Sequence, residues 1–126
     1  LGESRGGEVL DMLQAMNTGH LGSMSTLHAN SPMDALVRLE MMVTLSGFNS
    51  SETFIQKLVA SAIDVIIQVS RLSSGQRLIT EIVEVMNVDS QHIQISPLFH
   101  YESSSKQSLS NAELSPRLKL QWEESL

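Results

Sequence analysis

An acid, an arginine and two imidazoles crowd the first thirty residues. Glu3 stands beside Gly2, Arg5 follows two positions on, and His20 and His28 flank the run Leu21-Gly22-Ser23-Met24-Ser25-Thr26-Leu27. A carboxylate holds water by accepting its hydrogen bonds, and a guanidinium compensates the charge on phosphate oxygens. A neutral imidazole donates from one nitrogen while accepting at the other. Together these types suggest a site that orients water and senses phosphate. Each also has a plainer use. An acidic residue at a helix start, such as Glu3 or Glu8, serves the local dipole for about 0.3 to 1 kcal/mol. A histidine beside a turn is an ordinary hydrogen-bonded surface group. The four histidines match no compact zinc spacing, and the chain has no cysteine to complete one.

The elements that must position these residues follow from spacing. Val9, Leu10, Met12, Leu13 and Met16 recur at three- and four-residue intervals, which predicts a helix over residues 8–17, preceded by Gly6-Gly7 and ended by Gly19. Residues 23–28, with β-branched Thr26 and apolar Met24 and Leu27, fit a brief strand. Asn30-Ser31-Pro32 is a strong helix start and Gly47 a stop, so residues 32–46 are expected to be helical. There Leu36, Leu39 and Val43 form the packed face, and Asp34 and Arg38 stand one turn apart on the polar one. Asn49 with Glu52 three residues later has capping-box spacing for a further helix to about residue 62, packed through Ile55, Leu58, Val59 and Ala62.

The period then changes. The β-branched run at residues 64–69 predicts a strand covered on both faces. Residues 77–86 and 92–98 are the next strands, separated by 87–91, and the set suggests a meander. From Tyr101 to about Asn111 the chain is serine-rich and too poor in apolar residues to offset the entropy of ordering, so a mobile linker is expected. Residues 114–126 read as a short terminal helix whose one large anchor is Trp122. The seven methionines are adaptable packing material.

Composition bounds the function. At 126 residues one domain is the default. A net charge of -6, with the eight basic residues dispersed, disfavours nucleic-acid binding. No apolar run approaches the roughly 20 residues of a membrane span, and no secretory signal opens the chain. Direct membrane insertion is therefore not expected.

Several stretches carry a resemblance. Gly2-Glu3-Ser4-Arg5-Gly6-Gly7-Glu8, Asp11-Met12-Leu13-Gln14-Ala15-Met16-Asn17-Thr18-Gly19-His20, Ser25-Thr26-Leu27-His28-Ala29-Asn30-Ser31-Pro32 and Asp34-Ala35-Leu36-Val37-Arg38-Leu39-Glu40 occur in this order. The chain from Leu1 to about Phe99 resembles the C-terminal part of the type II/IV secretion ATPase superfamily, and the wording of residues 11–20 favours its CpaF/TadA branch, which powers tight-adherence pilus assembly. The fold this implies is α/β: the C-terminal part of a RecA-like P-loop ATPase domain over residues 1–100, with helices packed on strands and a β-meander near its end. Residues 101–126 would be a polar linker and terminal helix.

The resemblance places Gly2 and Glu3 in the Walker B segment and residues 19–28 in the histidine box. It implies that Glu3, His20 and His28 are catalytic. Glu3 polarises the attacking water directly or through hydrated Mg2+, a metal role reached through water, while Gly2 and Arg5 lie against the nucleotide. It also implies a homo-oligomeric ring, a hexamer, that couples ATP hydrolysis to pilin or protein export, located in the cytoplasm at the inner membrane against a platform protein. Two departures stand out. No Gly-x-x-x-x-Gly-Lys-Ser/Thr loop occurs, and Leu1 is all that precedes Gly2 where the family has an apolar strand. The expectation is a back half of an enzyme, hydrolysing little or no ATP alone. A noncatalytic module that joins or caps such a ring is the competing reading, and a type II secretion or pilus-retraction motor is a sister possibility.

Overall fold

The computed structural model describes residues 6–19, 22–102, 107–110 and 114–116, and all structural statements concern these. Three helices come first: α1 (Glu8–Asn17), α2 (Pro32–Leu45) and α3 (Glu52–Ala62). Four strands follow: β1 (Val65–Arg71), β2 (Arg77–Asp89), β3 (His92–Glu102) and β4 (Gln107–Ser110). The strands form one antiparallel sheet in the order β1-β2-β3-β4, the expected meander. Helices packed on strands agree with an α/β composition.

The core lies between the helices and one face of the sheet. Val9 and Leu13 of α1 meet Leu36, Leu39 and Val43 of α2, Ile55 and Val59 of α3, and Val85 and Ile93 of the sheet. The apolar periods in the sequence therefore assign the buried faces correctly. Asn17 adds a polar tie, donating from Nδ2 to the Leu58 carbonyl of α3 at 3.3 Å. Gly19 and Gly47 take φ of +91° and +87° just past α1 and α2, the left-handed backbone that ends helices where glycine pays no Cβ penalty.

Several expectations need correction. The cap of α3 is Ser51, not Asn49: its hydroxyl accepts from the Phe54 amide at 3.2 Å. A serine directly before the first turn reaches that amide, whereas Asn49 lies two residues too early. Residues 23–28 form no strand of the sheet. They alternate in exposure, with Ser25 and Leu27 partly covered and Met24, Thr26 and His28 open, so the two-residue period was real. A strand of the sheet also needs a ladder to β1–β4, and the strand order among the described residues does not include this segment.

The run at residues 64–69 is covered on one face only. Val65, Ile67 and Val69 of β1 remain 39%, 56% and 55% exposed, because β1 is an edge strand whose outer face meets no layer among the described residues. Strands β2 and β3 reach closer to each other than expected. They are joined by Ser90 and Gln91 alone, at φ of 50° and 70°, the left-handed pair that suits a tight hairpin. Finally, the expected linker contributes a strand. Residues 107–110 pair with Phe99 to Glu102, since ladder bonds come from the main chain and need no apolar side chains. Of the predicted terminal helix, residues 117–126 with Trp122 lie outside the described residues.

Candidate functional site

His28 is the one predicted catalytic residue within the described structure. Its segment is held from both sides. Upstream of α2, Ser31 adopts extended backbone and its hydroxyl accepts from the Asp34 amide at 3.1 Å, while Pro32 occupies the first helical turn. The Asp34 carboxylate reaches back to accept from the Asn30 amide at 2.9 Å. Two amides that the helix itself cannot pair are thus satisfied reciprocally, the logic of a capping box with Asp in place of Glu. From the sheet, Gln68 of β1 donates its Nε2 to the Ala29 carbonyl at 3.1 Å. His28 therefore stands exposed immediately before two consecutive anchored residues.

The same carboxylate pairs with Arg38 one turn along α2, Nε to Oδ2 at 3.0 Å. The Asn30 amide first, and then the Arg38 guanidinium, hold the Asp34 carboxyl below the usual carboxylate range. Protonating Asp34 would release both partners.

Beside α1 lies an open recess of about 350 Å³, lined by Glu8, Asp11, Met12, Ala15, Met16, Ser23 and Met24. Two carboxylates and a methionine wall do not fit a triphosphate, whose charge they would repel. Glu8 and Asp11 instead sit in the first turn of α1, where acidic side chains complement the helix dipole. The remaining predicted site residues, Gly2, Glu3, Arg5 and His20, lie outside the described residues. Among the described residues no cluster of His, Asp and Glu could hold a metal ion.

Comparison with known proteins decides the family. The model of the family described as "Type II/IV secretion system protein" matches residues 1–113. This chain belongs to that family. Relatives of this secretion-family chain include a putative conjugal transfer protein of Mycobacterium tuberculosis, 35% identical over 79% of this chain and 28% of that protein. The conjugal transfer protein TrbB of Rhizobium radiobacter is 32% identical over 83% of this chain and 31% of its own length. The type IV secretion system protein PtlH of Bordetella pertussis is 38% identical over 68% of this chain and 25% of its own. The chain thus spans about three tenths of the first two relatives.

Two positioning residues of the secretion-family segment escaped the sequence reading. Asp34 pairs with Arg38 by spacing, and its place three residues after Ser31 is also the capping-box position. Gln68 was absorbed into a β-branched run, where being the single polar residue between Val65 and Val69 was the available signal.

Proposed function

We propose that this chain is the C-terminal part of a motor ATPase that drives protein or pilin export. In this reading Glu3 orients the attacking water, directly or through the hydration shell of Mg2+. Arg5 compensates phosphate charge beside Gly2, and His20 and His28 register the terminal phosphate. The observation that carries the proposal is the family match across residues 1–113, which includes every one of these positions. The anchoring of Ala29 and Asn30 supports it, since a phosphate-reading imidazole needs a fixed backbone. ATP, Mg2+ and the ring of like subunits, a hexamer at the inner membrane docked on a platform protein, belong to the longer protein. Within the family, the wording of residues 11–20 supports the CpaF/TadA branch and a cytoplasmic, membrane-peripheral location.

The experiment compares two proteins. In a longer protein that joins this region to a phosphate-binding loop, Glu3→Gln is expected to abolish turnover while nucleotide binding persists; unchanged turnover excludes water activation by Glu3. The 126-residue chain alone is expected to turn over no more ATP than its own Glu3→Gln control. The competing reading is a noncatalytic module that joins or caps such a ring. It predicts that the short chain enters or caps preformed rings and lowers their turnover.

A further inference from the structure

Helix α2 carries two apolar faces, and the fold covers one of them. Pro32, Ala35, Leu36, Leu39 and Val43 are buried. Met33, Val37, Met41 and Leu45 are not: they remain 40%, 47%, 55% and 80% exposed. Each follows the last by four residues, so they stand side by side in one row from the first turn of α2 to its end. At 1.5 Å per residue the row is about 18 Å long. Rows of this spacing are the ridges that seat in the groove of a second helix. Exposed apolar residues scattered singly are ordinary, whereas four in one row mark a contact surface.

The charges beside this ridge identify what fits it. Glu40 neighbours Val37 and Thr44 at helical spacing, and Glu52 stands in the first turn of α3. Burial first, and then repulsion from Glu52, push the Glu40 carboxyl up, against the Gln56 hydrogen bond and His92. Among the described residues no Lys or Arg forms an ion pair with either carboxylate, and Arg38 is already held by Asp34. The last turn of α2 has no basic residue to offset the negative end of its dipole. The ridge is thus bordered by uncompensated negative charge. A second copy would bring like carboxylates together, in a chain whose net charge is -6. The complementary surface is a helix with apolar residues along one side and Lys or Arg on its flanks.

We propose that the exposed face of α2 docks a basic amphipathic helix of a partner protein. Val37, Met41 and Leu45 take up its apolar side, the unbranched methionines adapting to its shape, and Glu40 and Glu52 hold its cations. None of the residues assigned to water or phosphate belongs to this surface, so it stands whether or not the motor reading does.

The probe is a fluorescent helical peptide of leucine and lysine, about 18 residues long, with its leucines on one face. Anisotropy should show the full chain binding it, and binding a leucine and glutamate peptide of the same pattern far less. Met41→Gln with Leu45→Gln is expected to weaken binding roughly tenfold. Ile67→Gln, at an equally exposed apolar position on the outer face of the sheet, is expected to leave it unchanged. Glu40→Gln with Glu52→Gln should weaken it roughly threefold at low salt and flatten its salt dependence. A longer protein that includes this region should bind the probe too, with or without Glu3→Gln. The proposal is overturned if the full chain ignores the probe, if the Met41 and Leu45 variant binds unchanged, or if Ile67→Gln loses as much. Equal binding of the glutamate peptide also overturns it. So does a dimer of the chain alone that Met41→Gln dissolves, which assigns the ridge to a second copy. A longer protein that ignores the probe has the ridge covered from within, and overturns it as well. Should the double variant fold poorly by circular dichroism, Leu45→Gln alone, at the most exposed position of the row, decides.

Discussion

The Ser31 hydroxyl and the Asp34 carboxylate each do a job that no apolar substitute performs. Ser31→Ala should cost about 1 kcal/mol in chemical denaturation, the usual loss when a side-chain cap is removed. The Asp34 contribution should depend on pH. Its carboxyl is held low in the folded state, so the stabilisation is complete above about pH 4 and fades as pH falls through the depressed value. Asp34→Asn should therefore be less stable than the parent chain at pH 7 and indistinguishable from it in strong acid. Glu40 on α2 has the opposite sign. Burial first, and then the nearby Glu52, push its carboxyl up, against the opposing Gln56 hydrogen bond and His92. Ionising it is thus a cost of the folded state at neutral pH and no cost below about pH 4. Glu40→Gln should raise stability at pH 7 by less than about 1 kcal/mol, with the gain vanishing as the pH drops to 4, read from melting curves across that range. The cap of α2 was legible in the sequence because Asn30-Ser31-Pro32 acts locally. The burial of Glu40 was not, since it depends on α3 and β3 arriving from elsewhere in the chain.

At the level of elements, helix periodicity told more than strand composition. Leu13, Leu36, Val43 and Val59 are fully or almost fully buried where three- and four-residue spacing placed them. Leu13→Ala should cost about 3 kcal/mol by opening a cavity between α1 and its neighbours, as measured by denaturant midpoint at constant slope. Ile67→Thr on the outer face of β1 should change stability by under about 0.5 kcal/mol, despite sitting in the most β-branched run of the chain. That run predicted a strand but misjudged its surroundings, because side-chain branching reports the backbone and says little about how many layers cover it. The extended segment at residues 23–28 shows the converse. Its alternation is visible in the sequence, but membership of the sheet is a property of two segments and cannot be read from one. Serine-rich residues 107–110 escaped for a related reason: a ladder recruited by an existing edge leaves little mark on side-chain chemistry.

For the whole molecule, the split between described and proposed chemistry follows the order of the chain. The groups assigned to water and phosphate lie at positions 2–28, and the sheet begins only at Val65, so the two halves are joined through α2, α3 and the Gln68–Ala29 hydrogen bond. Removing that bond with Gln68→Ala should leave the fold intact while lowering turnover of the longer protein through His28 rather than through Glu3. A reduced kcat with unchanged nucleotide affinity checks this. The strand order carries a kinetic consequence. Every strand pairs with the one next to it along the polypeptide, so each closure involves a short loop and a small loss of chain entropy. The β2–β3 hairpin, closed by two residues, is the natural nucleus. Stopped-flow refolding should show substitutions there slowing the folding limb, while those in α1 mainly hasten unfolding.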